Sequence, residues 1–313
     1  MIDGDTDTMF KKLFALGAIV ALIGTACAPA AGDSAQPGQE QKLRIVATTT
    51  IVGDIVRSVA GDAVEVTVLL APGVDPHEYE PVPGDVRAVS QAALVFLNGA
   101  GLEPWLDGLL ESAGGETDLV ALSDGLALRA LEEDGLVETD PHVWLDVANA
   151  IHFAERARDA LIAADPSKAD TYRGSAEATI RQLSDLDTWL MAQVDGLPAE
   201  SRLLVTNHDT FGYFAARYGF TVVGTAFPTG GAQASPSARE IADLIAAIKA
   251  SGVKAVFTET TLNPDLANTI GQEAGVKVVS GLYTDSLGPA DSPAATYIGM
   301  MRHDVQAIVE ALR

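Results

Sequence analysis

The sequence is short of cysteine and of basic residues, and both shortages exclude classes of protein. Cys27 is the only cysteine among 313 residues, so neither an internal disulfide nor a zinc cluster held by several thiolates can form. Lysine and arginine total 20 against 43 acidic residues, a formal net charge of −23. Because nucleic-acid binding requires clustered basic side chains, we exclude nucleic acid as a partner. The hydrophobic content of 48% is ordinary for globular domains, and the length predicts about two of them.

No apolar run reaches the roughly 20 residues that a membrane-spanning helix needs. The apolar run Leu13–Ile23 follows a basic pair, Lys11–Lys12, and is followed by small residues. This layout is typical of a secretory signal peptide, which we assign to residues 1–26. The first eight residues form an acidic stretch, which is unusual for a signal peptide, so we expect translation to begin at Met9. The alternative is an N-terminal membrane anchor that is never cleaved.

Cys27 directly follows small residues and resembles the acylated cysteine of a bacterial lipobox, although Gly24 stands where lipoboxes usually carry leucine. We therefore expect cleavage before Cys27 and acylation of its thiol. Residues 27–41 lack large apolar side chains and are rich in alanine, glycine, proline and glutamine, which predicts a flexible tether. These features predict a protein that is secreted and lipid-anchored to the outer face of the cytoplasmic membrane, or periplasmic.

Short apolar, β-branched runs alternate with helical patterns through residues 42–164. Strands are predicted at Leu43–Thr49, Val64–Leu70 and Ala93–Leu97. One helix is predicted after the first strand, and another begins at Pro83, where proline suits the first helical turn. Alternation at this spacing predicts βαβ units and a mainly parallel sheet.

A long helical pattern separates this part from a second α/β part. The stretches Asp146–Ala164 and Pro166–Val194 show no strand signal, and the second predicts a connector helix over residues 165–196. Residues 197–313 repeat the alternation of the first part. Their strands are predicted at Arg202–Thr206, Phe220–Gly224, Ala255–Thr258 and Val276–Ser280. The sequence therefore predicts an α/β fold of two lobes, each a mainly parallel sheet flanked by helices, joined by one long connector helix.

Three histidines and one aspartate occupy loops, most of them just past predicted strands. They are His77, His142, His208 and Asp285. Ligands of open α/β sheets bind outside the carboxyl ends of the strands, so these side chains converge if the two lobes face each other. Imidazole nitrogens with one carboxylate suit a divalent first-row metal ion. The sequence therefore predicts one metal site between the lobes.

Other interpretations of these residues stay open at this point. Their separations along the chain match no local zinc motif. Taken alone, each histidine is better explained by a structural hydrogen bond, and Asp285 by a turn or a helix cap. The remaining histidines, His152 and His303, fall inside predicted helices and are interpreted as surface residues.

Four ordered motifs are similar to those of a known family, the metal-binding solute receptors of ABC importers, which are zinc or manganese substrate-binding lipoproteins. The motifs are PGVDPHEYEP (Pro72–Pro81), DPHVWLD (Asp140–Asp146), TNHDTFGYFAARYGF (Thr206–Phe220) and the segment Val256–Gly288. The resemblance covers the chain from about Leu43 to its end. It implies two lobes joined by one long helix, with the metal held by His77, His142, His208 and Asp285. The partner of such a receptor would be an ABC permease in the membrane. We also expect a monomer without enzymatic activity, because four ligands leave the metal no open position for water.

The third ligand position bears on which metal is carried. Family members with glutamate there tend to carry manganese, and those with histidine tend to carry zinc. His208 therefore predicts zinc, in agreement with the preference of nitrogen ligands for zinc over manganese. A manganese or mixed-metal receptor is the alternative, because residues 128–139 lack the histidine-rich loop of many zinc receptors. The C-terminal segment also resembles members for which both metals have been proposed.

Acidic residues near the predicted ligands are candidates to orient them, since a ligating imidazole usually donates its other N–H to a carboxylate or carbonyl. The candidates are Glu78, Asp146, Asp209 and Glu259, each of which is equally well explained as a solvated acid. Trp144 and Phe211 are expected to pack around the site.

Two rival functions remain. One is a surface adhesin that carries metal only structurally. The other is a metallohydrolase, in which three histidines leave a metal position open to water and Asp285 acts as general base.

Overall fold

The structure of the chain is a computed structural model. It describes residues 42–115, 117–133, 136–227 and 236–313. The predicted signal peptide, the predicted acylation at Cys27 and the predicted tether lie outside the described residues. Lys42–Arg313 forms one compact unit. Within the described part of that unit, no helix combines the length and the apolar character needed to cross a membrane.

The first sheet has four parallel strands. Its elements in chain order are β1 (Leu43–Ala47), α1 (Thr50–Ala60), β2 (Val64–Val68), α2 (Pro83–Ser90), β3 (Leu94–Leu97), α3 (Leu106–Ala113) and β4 (Asp118–Ala121). The strand order β2-β1-β3-β4 puts β1 inside the sheet. Strand β1 is apolar because both of its faces are covered: Ile45, Val46 and Ala47 are all buried. The predicted βαβ alternation is confirmed, and α3 and β4 extend it.

Helix α1 begins directly after the carboxyl end of β1. The hydroxyl of Thr49 accepts a 3.2 Å hydrogen bond from the backbone N–H of Val52 and so caps the helix. Ile51, Ile55 and Val59 are buried because their helical spacing puts them on one face. The capped start keeps Thr50, the first helical residue, close to the carboxyl edge of the sheet.

An antiparallel hairpin interrupts the alternation after the first sheet. Strand β5 (Ala130–Glu133) pairs with β6 (Leu136–Thr139). The sequence did not predict this hairpin because the segment is short and acidic and lacks an apolar face. Strand β6 ends just before Asp140, so the hairpin leads into the loop that carries His142.

Two long helices follow the hairpin. Helix α4 (Val147–Ala164) and helix α5 (Ala169–Asp195) pack against each other and against α1. The predicted long helix is confirmed as α5, which has 27 residues. Its predicted first residues, Pro166–Lys168, instead form a separate 3₁₀ turn, because Asp165 caps that turn by accepting from the backbone of Ser167.

The described residues after α5 form four strands in two parallel pairs. Its elements are β7 (Leu203–Thr206), α6 (Gly212–Tyr218), β8 (Thr221–Thr225), α7 (Ala238–Ser251), β9 (Ala255–Glu259), α8 (Asp265–Ala274), β10 (Lys277–Leu282) and α9 (Tyr297–Leu312). Strand β7 pairs with β8, strand β9 pairs with β10, and β7 lies beside β9. All four predicted strands are present, with ends shifted by one or two residues.

A continuous hydrophobic cluster joins these parts. It includes Ile45 and Phe96 from the first sheet, Leu186 from α5, and Phe257 and Leu282 from the last strand pair. Parallel sheets flanked by helices and a long helix match the predicted fold class. The domain boundaries 42–164, 165–196 and 197–313 stay a prediction.

Candidate metal centre

Four side chains from separate loops meet at one point. The Nε2 atom of His142 lies 3.2 Å from Nε2 of His77 and 3.3 Å from Nε2 of His208. The carboxylate of Asp285 approaches with both oxygens: Oδ1 lies 3.6 Å from Nε2 of His142, and Oδ2 lies 3.3 Å from Nε2 of His208. One donor atom from each of the four residues lies within 4.8 Å of the others. The set predicted from the sequence therefore lies together in space.

This arrangement suits a cation. Three of the four side chains are buried, and His77 is partly buried. Oδ1 of Asp285 is buried without a hydrogen-bond partner among the described residues, and a buried unpaired carboxylate oxygen is costly. Lone pairs of imidazole nitrogens and carboxylate oxygens at this separation repel one another unless a proton or a metal ion lies between them. A divalent ion can accept all of these donors at once.

Two of the histidines are the last residue of the same tripeptide, Asp-Pro-His. The backbone N–H of His77 donates to Oδ1 of Asp75 at 2.8 Å, and the backbone N–H of His142 donates to Oδ1 of Asp140 at 3.0 Å. An aspartate that accepts from the backbone two residues onward closes a tight turn, and the proline between them stiffens it. The repeated tripeptide therefore fixes the backbone of both loops.

Asp140 also orients the ring of His142. Its Oδ1 lies 2.9 Å from Nδ1 of His142, which leaves Nε2 free to face the site. Burial lowers the pKa of His142 well below its usual value of 6.5, so its imidazole is neutral. Burial raises the pKa of Asp140 to about 6, opposed by the backbone N–H of His142 and by Arg129. Asp140 was not predicted from the sequence, although the repeated Asp-Pro-His was a signal for it.

Glu259, one of the candidates to orient a ligand, lies beside the ring of His208. Oε2 of Glu259 lies 2.9 Å from Nδ1 of His208. Burial opposes the charging of His208, but the carboxylates of Glu259 and Asp285 outweigh it and raise its pKa to about 10. Asn207 fixes Glu259 in turn, because its side-chain oxygen accepts from the backbone N–H of Glu259 at 3.2 Å. Without metal, His208 is therefore protonated and His142 is neutral.

Hydrogen bonds to Glu259, Trp144 and Asp304 hold the segment that carries Asp285. The hydroxyl of Thr284 donates to Oε2 of Glu259 at 2.6 Å, and the carbonyl of Thr284 accepts from Nε1 of Trp144 at 2.8 Å. The backbone N–H of Tyr283 donates to Oδ1 of Asp304 at 3.0 Å. Trp144 and Phe211 are buried, as expected. Trp144 does more than pack, because its indole N–H fixes this segment.

Glu103, which the sequence analysis did not select, supports the loops of His77 and His142. Its buried carboxylate accepts from the hydroxyl of Thr48 at 2.8 Å and from the backbone N–H of Asn98 at 2.8 Å. The side chain of Asn98 donates to the carbonyl of Pro141, next to His142, at 3.0 Å. Two residues beyond Glu103, Nε1 of Trp105 donates to the carbonyl of Pro76, next to His77, at 2.8 Å.

The site opens into a cleft of about 370 Å³. The three histidines, Ala100 from the loop after β3, Leu131 and Glu138 from the hairpin, and Asp209 line this cleft. Burial raises the pKa of Asp209. The acidic groups at the cleft favour a cation over an anion as its occupant.

The other proposed orienting residues differ in their placement. Glu78 is exposed. Asp146 caps α4 by accepting from the backbone N–H of Ala148 at 2.8 Å, and it lies 3.5 Å from Nε of Arg217. Asp209 lies in the cleft wall.

The two remaining histidines lie in helices, as predicted. In α4, Nε2 of His152 lies 2.8 Å from the carbonyl oxygen of Asp124. In α9, Nε2 of His303 lies 3.2 Å from the carbonyl oxygen of Gly281. Both histidines are partly buried, so neither is the plain surface residue that the sequence suggested.

Known proteins resemble this chain over nearly its whole length. The profile of a family described as zinc-uptake complex component A, periplasmic, matches residues 45–311. The manganese-binding lipoprotein MntA of Halalkalibacterium halodurans is 38% identical over 295 residues, covering 94% of this chain and 96% of that protein. The manganese ABC transporter substrate-binding lipoprotein PsaA of Streptococcus pneumoniae is 31% identical over 311 residues, covering 97% and 99%.

Solved structures match the fold. The periplasmic zinc-binding protein TroA of Treponema pallidum superposes with a TM-score of 0.80 at 31% identity, covering 87% of this chain and 99% of that one. A manganese-bound periplasmic metal-binding protein of Candidatus Liberibacter asiaticus gives a TM-score of 0.79 at 28% identity, covering 87% and 100%. Both structures therefore share the α/β arrangement described above.

Proposed function

The chain belongs to the zinc-uptake component A family, the metal-binding substrate receptors of ABC importers, and we propose that it captures manganese for a membrane permease. The proposed ligands are His77, His142, His208 and Asp285. The observation that carries this proposal is the convergence of their donor atoms within 4.8 Å. The family consists of solute-binding receptors rather than enzymes, which removes the metallohydrolase alternative.

Two arguments support manganese over the zinc predicted from His208. The relatives MntA and PsaA are named for manganese, although TroA is named for zinc. In addition, both oxygens of Asp285 face histidine nitrogens, so the site can offer two oxygen donors beside three nitrogens. Carboxylate oxygens suit manganese, and a five-donor set exceeds the four donors of a tetrahedral zinc site. A histidine at the third ligand position therefore does not by itself select zinc.

Capture requires the ligands to be deprotonated. The neutral imidazole of His142 is ready to bind, while His208 must release a proton to the solvent when the ion arrives. Asp140 and Glu259 then hold each Nδ1 atom so that each Nε2 atom points at the ion. Delivery requires the permease to bind a metal-releasing state of the receptor more tightly than the metal-loaded state. A partner shifts the equilibrium between two states only if it binds one of them more tightly than the other.

The chain is also proposed to be a monomeric lipoprotein, acylated at Cys27 and anchored outside the cytoplasmic membrane. The curated relatives are named as lipoproteins, and Cys27 follows the small residues of a signal peptide. Replacing Cys27 with serine removes the acyl acceptor. The variant should move from the membrane fraction to the soluble extracytoplasmic fraction, and its retention in the membrane would contradict the anchor.

Calorimetric titration of the metal-stripped protein with manganese tests the cargo and the site together. Wild-type protein is expected to bind one manganese ion, and His142→Ala is expected to bind none. His152→Ala is the matched control, since His152 lies in α4 and contacts the carbonyl of Asp124. Zinc binds more tightly than manganese at most sites, so tight zinc binding alone decides nothing. Absence of one-site manganese binding by the wild type would overturn the proposal.

Uptake of radioactive manganese tests delivery. Cells that lack the chain should regain uptake with the wild type or His152→Ala, and not with His142→Ala. If zinc uptake depends on the chain and manganese uptake does not, the cargo is zinc.

A further inference from the structure

Three hydrogen bonds join the Asp285 segment to parts of the chain that precede α5. Nε1 of Trp144 donates to the carbonyl of Thr284 at 2.8 Å. The backbone N–H of Gly73 donates to the hydroxyl of Ser286 at 2.8 Å. The backbone N–H of Leu287 donates to the hydroxyl of Thr50 at 2.8 Å. These bonds flank Asp285 on both sides, so the carboxylate is tied to the elements that carry His77 and His142.

Two of these bonds meet where the hydroxyls of Thr50 and Ser286 lie 3.3 Å apart. We call this pair the Thr50–Ser286 junction. Ser286 also donates to the carbonyl of Leu287 at 3.1 Å, so the hydroxyl of Thr50 can donate to Ser286 without leaving either group unpaired. Ser286 is buried with 2% exposure, which protects the junction from competition by water.

The junction connects two of the proposed ligands over a short path. Ser286 follows Asp285 directly, and Gly73 lies in the turn Ala71–Val74, four residues before His77. Thr50 lies in the first turn of α1, whose start is fixed by the Thr49 cap. Separation of the Asp285 segment from the His77 loop must break the bond from Gly73 to Ser286, and its separation from α1 must break the bonds that Thr50 makes. His208 follows α5 in the chain, as Asp285 does: its Nε2 lies 3.3 Å from Oδ2 of Asp285, and Glu259 contacts both His208 and Thr284.

We propose that the hydroxyls of Thr50 and Ser286 are positioning groups that hold the carboxylate of Asp285 against the His77 loop and thereby slow the release of the captured ion. This inference rests on the proposed function. Neither residue is a proposed ligand. The junction holds the Asp285 segment to α1 and, through Gly73, to the loop that carries His77.

The test compares manganese dissociation rates, measured by mixing the loaded protein with excess chelator in stopped flow. Thr50→Val removes the hydroxyl and keeps the branched shape, whereas Thr50→Ser keeps the hydroxyl. Thr188→Val is the matched control, because Thr188 is an exposed helical threonine whose hydroxyl donates within α5. Ser286→Ala is the second variant, in case Thr50→Val fails to fold.

Thr50→Val and Ser286→Ala are expected to raise the dissociation rate roughly threefold to tenfold, the scale of one buried hydrogen bond. The association rate should not change, and Thr50→Ser and Thr188→Val should match the wild type. A purely structural hydroxyl would lower the unfolding free energy of the metal-free protein and leave the dissociation rate unchanged. That result would overturn the inference, and so would equal acceleration by Thr50→Val and Thr50→Ser.

The result for the wild type distinguishes failure of this inference from failure of the proposed function. If the wild type binds no manganese, the proposed function fails. If the wild type binds manganese and the junction variants release it at the wild-type rate, only the positioning role fails.

Discussion

Oε2 of Glu259 lies 2.9 Å from Nδ1 of His208, at the carboxyl end of strand β9. The same oxygen accepts a 2.6 Å hydrogen bond from Thr284, the residue before Asp285. One carboxylate oxygen therefore sets the ring of one proposed ligand and the backbone of another. Removing its charge should disturb both ligands at once.

Glu259→Gln is expected to weaken manganese affinity roughly tenfold to a hundredfold, the usual cost of losing a group that orients a ligating histidine. The amide can still accept from Thr284, but it no longer offers a charged partner to His208. Glu78→Gln is the matched control, because Glu78 is exposed beside His77. Calorimetry measures both variants. Equal affinity for Glu259→Gln and Glu78→Gln would contradict the role of Glu259.

Manganese binding is expected to release about one proton at neutral pH, because the pKa of His208 in the metal-free protein is raised to about 10 and a ligating imidazole must be neutral. The neutral imidazole of His142 contributes none. Affinity should therefore rise roughly tenfold per pH unit through the neutral range. Titration in buffers of different ionisation enthalpy counts the protons. A binding enthalpy that is the same in every buffer would contradict a protonated His208.

Glu103 should make the metal-free protein less stable as the pH rises. Its buried carboxyl has a pKa of about 7 in the folded chain against a usual 4.5, because desolvation outweighs the hydrogen bonds from Thr48 and Asn98. Between these two pH values the folded state binds more protons than the unfolded state. The unfolding free energy therefore falls by about 3 kcal/mol as the pH rises from one value to the other.

Urea unfolding at pH 5 and pH 7.5 measures this effect. Glu103→Gln cannot titrate, so the wild type should lose more stability than this variant over the interval. Glu138→Gln, at an exposed position of the hairpin, should lose as much as the wild type. Parallel pH dependence of the wild type and Glu103→Gln would show that Glu103 does not carry the effect.

Removal of metal should leave the chain folded, in contrast to an adhesin with a structural metal. The hydrophobic cluster that joins both sides of α5 does not depend on the proposed ligands. Circular dichroism after chelation should match that of the loaded protein. Manganese at a hundred times its Kd should add about 2.7 kcal/mol to the unfolding free energy by mass action. Loss of helical signal on chelation would instead favour a structural metal.

The sequence predicted strands β1–β3 and β7–β10 and the long helix, because apolar runs and helical spacing are local signals, but it did not predict α3 or β4. The antiparallel hairpin of β5 and β6 was missed because its short acidic strands carry no such signal. The proposed ligands were recognisable from their loop positions and from a family resemblance.

The residues that orient the ligands were less predictable. Asp140 could have been predicted from the repeated Asp-Pro-His. Glu103 and the Thr50–Ser286 junction depend on contacts between segments far apart in the chain, and one sequence does not reveal such contacts.

Anomalous diffraction at the manganese absorption edge, from crystals of the manganese-loaded protein, tests the central claim most directly. The account predicts one peak at bonding distance from Nε2 of His77, His142 and His208 and from the carboxylate of Asp285. A peak bound by other residues, or none at this site in crystals that contain stoichiometric manganese, would contradict the account.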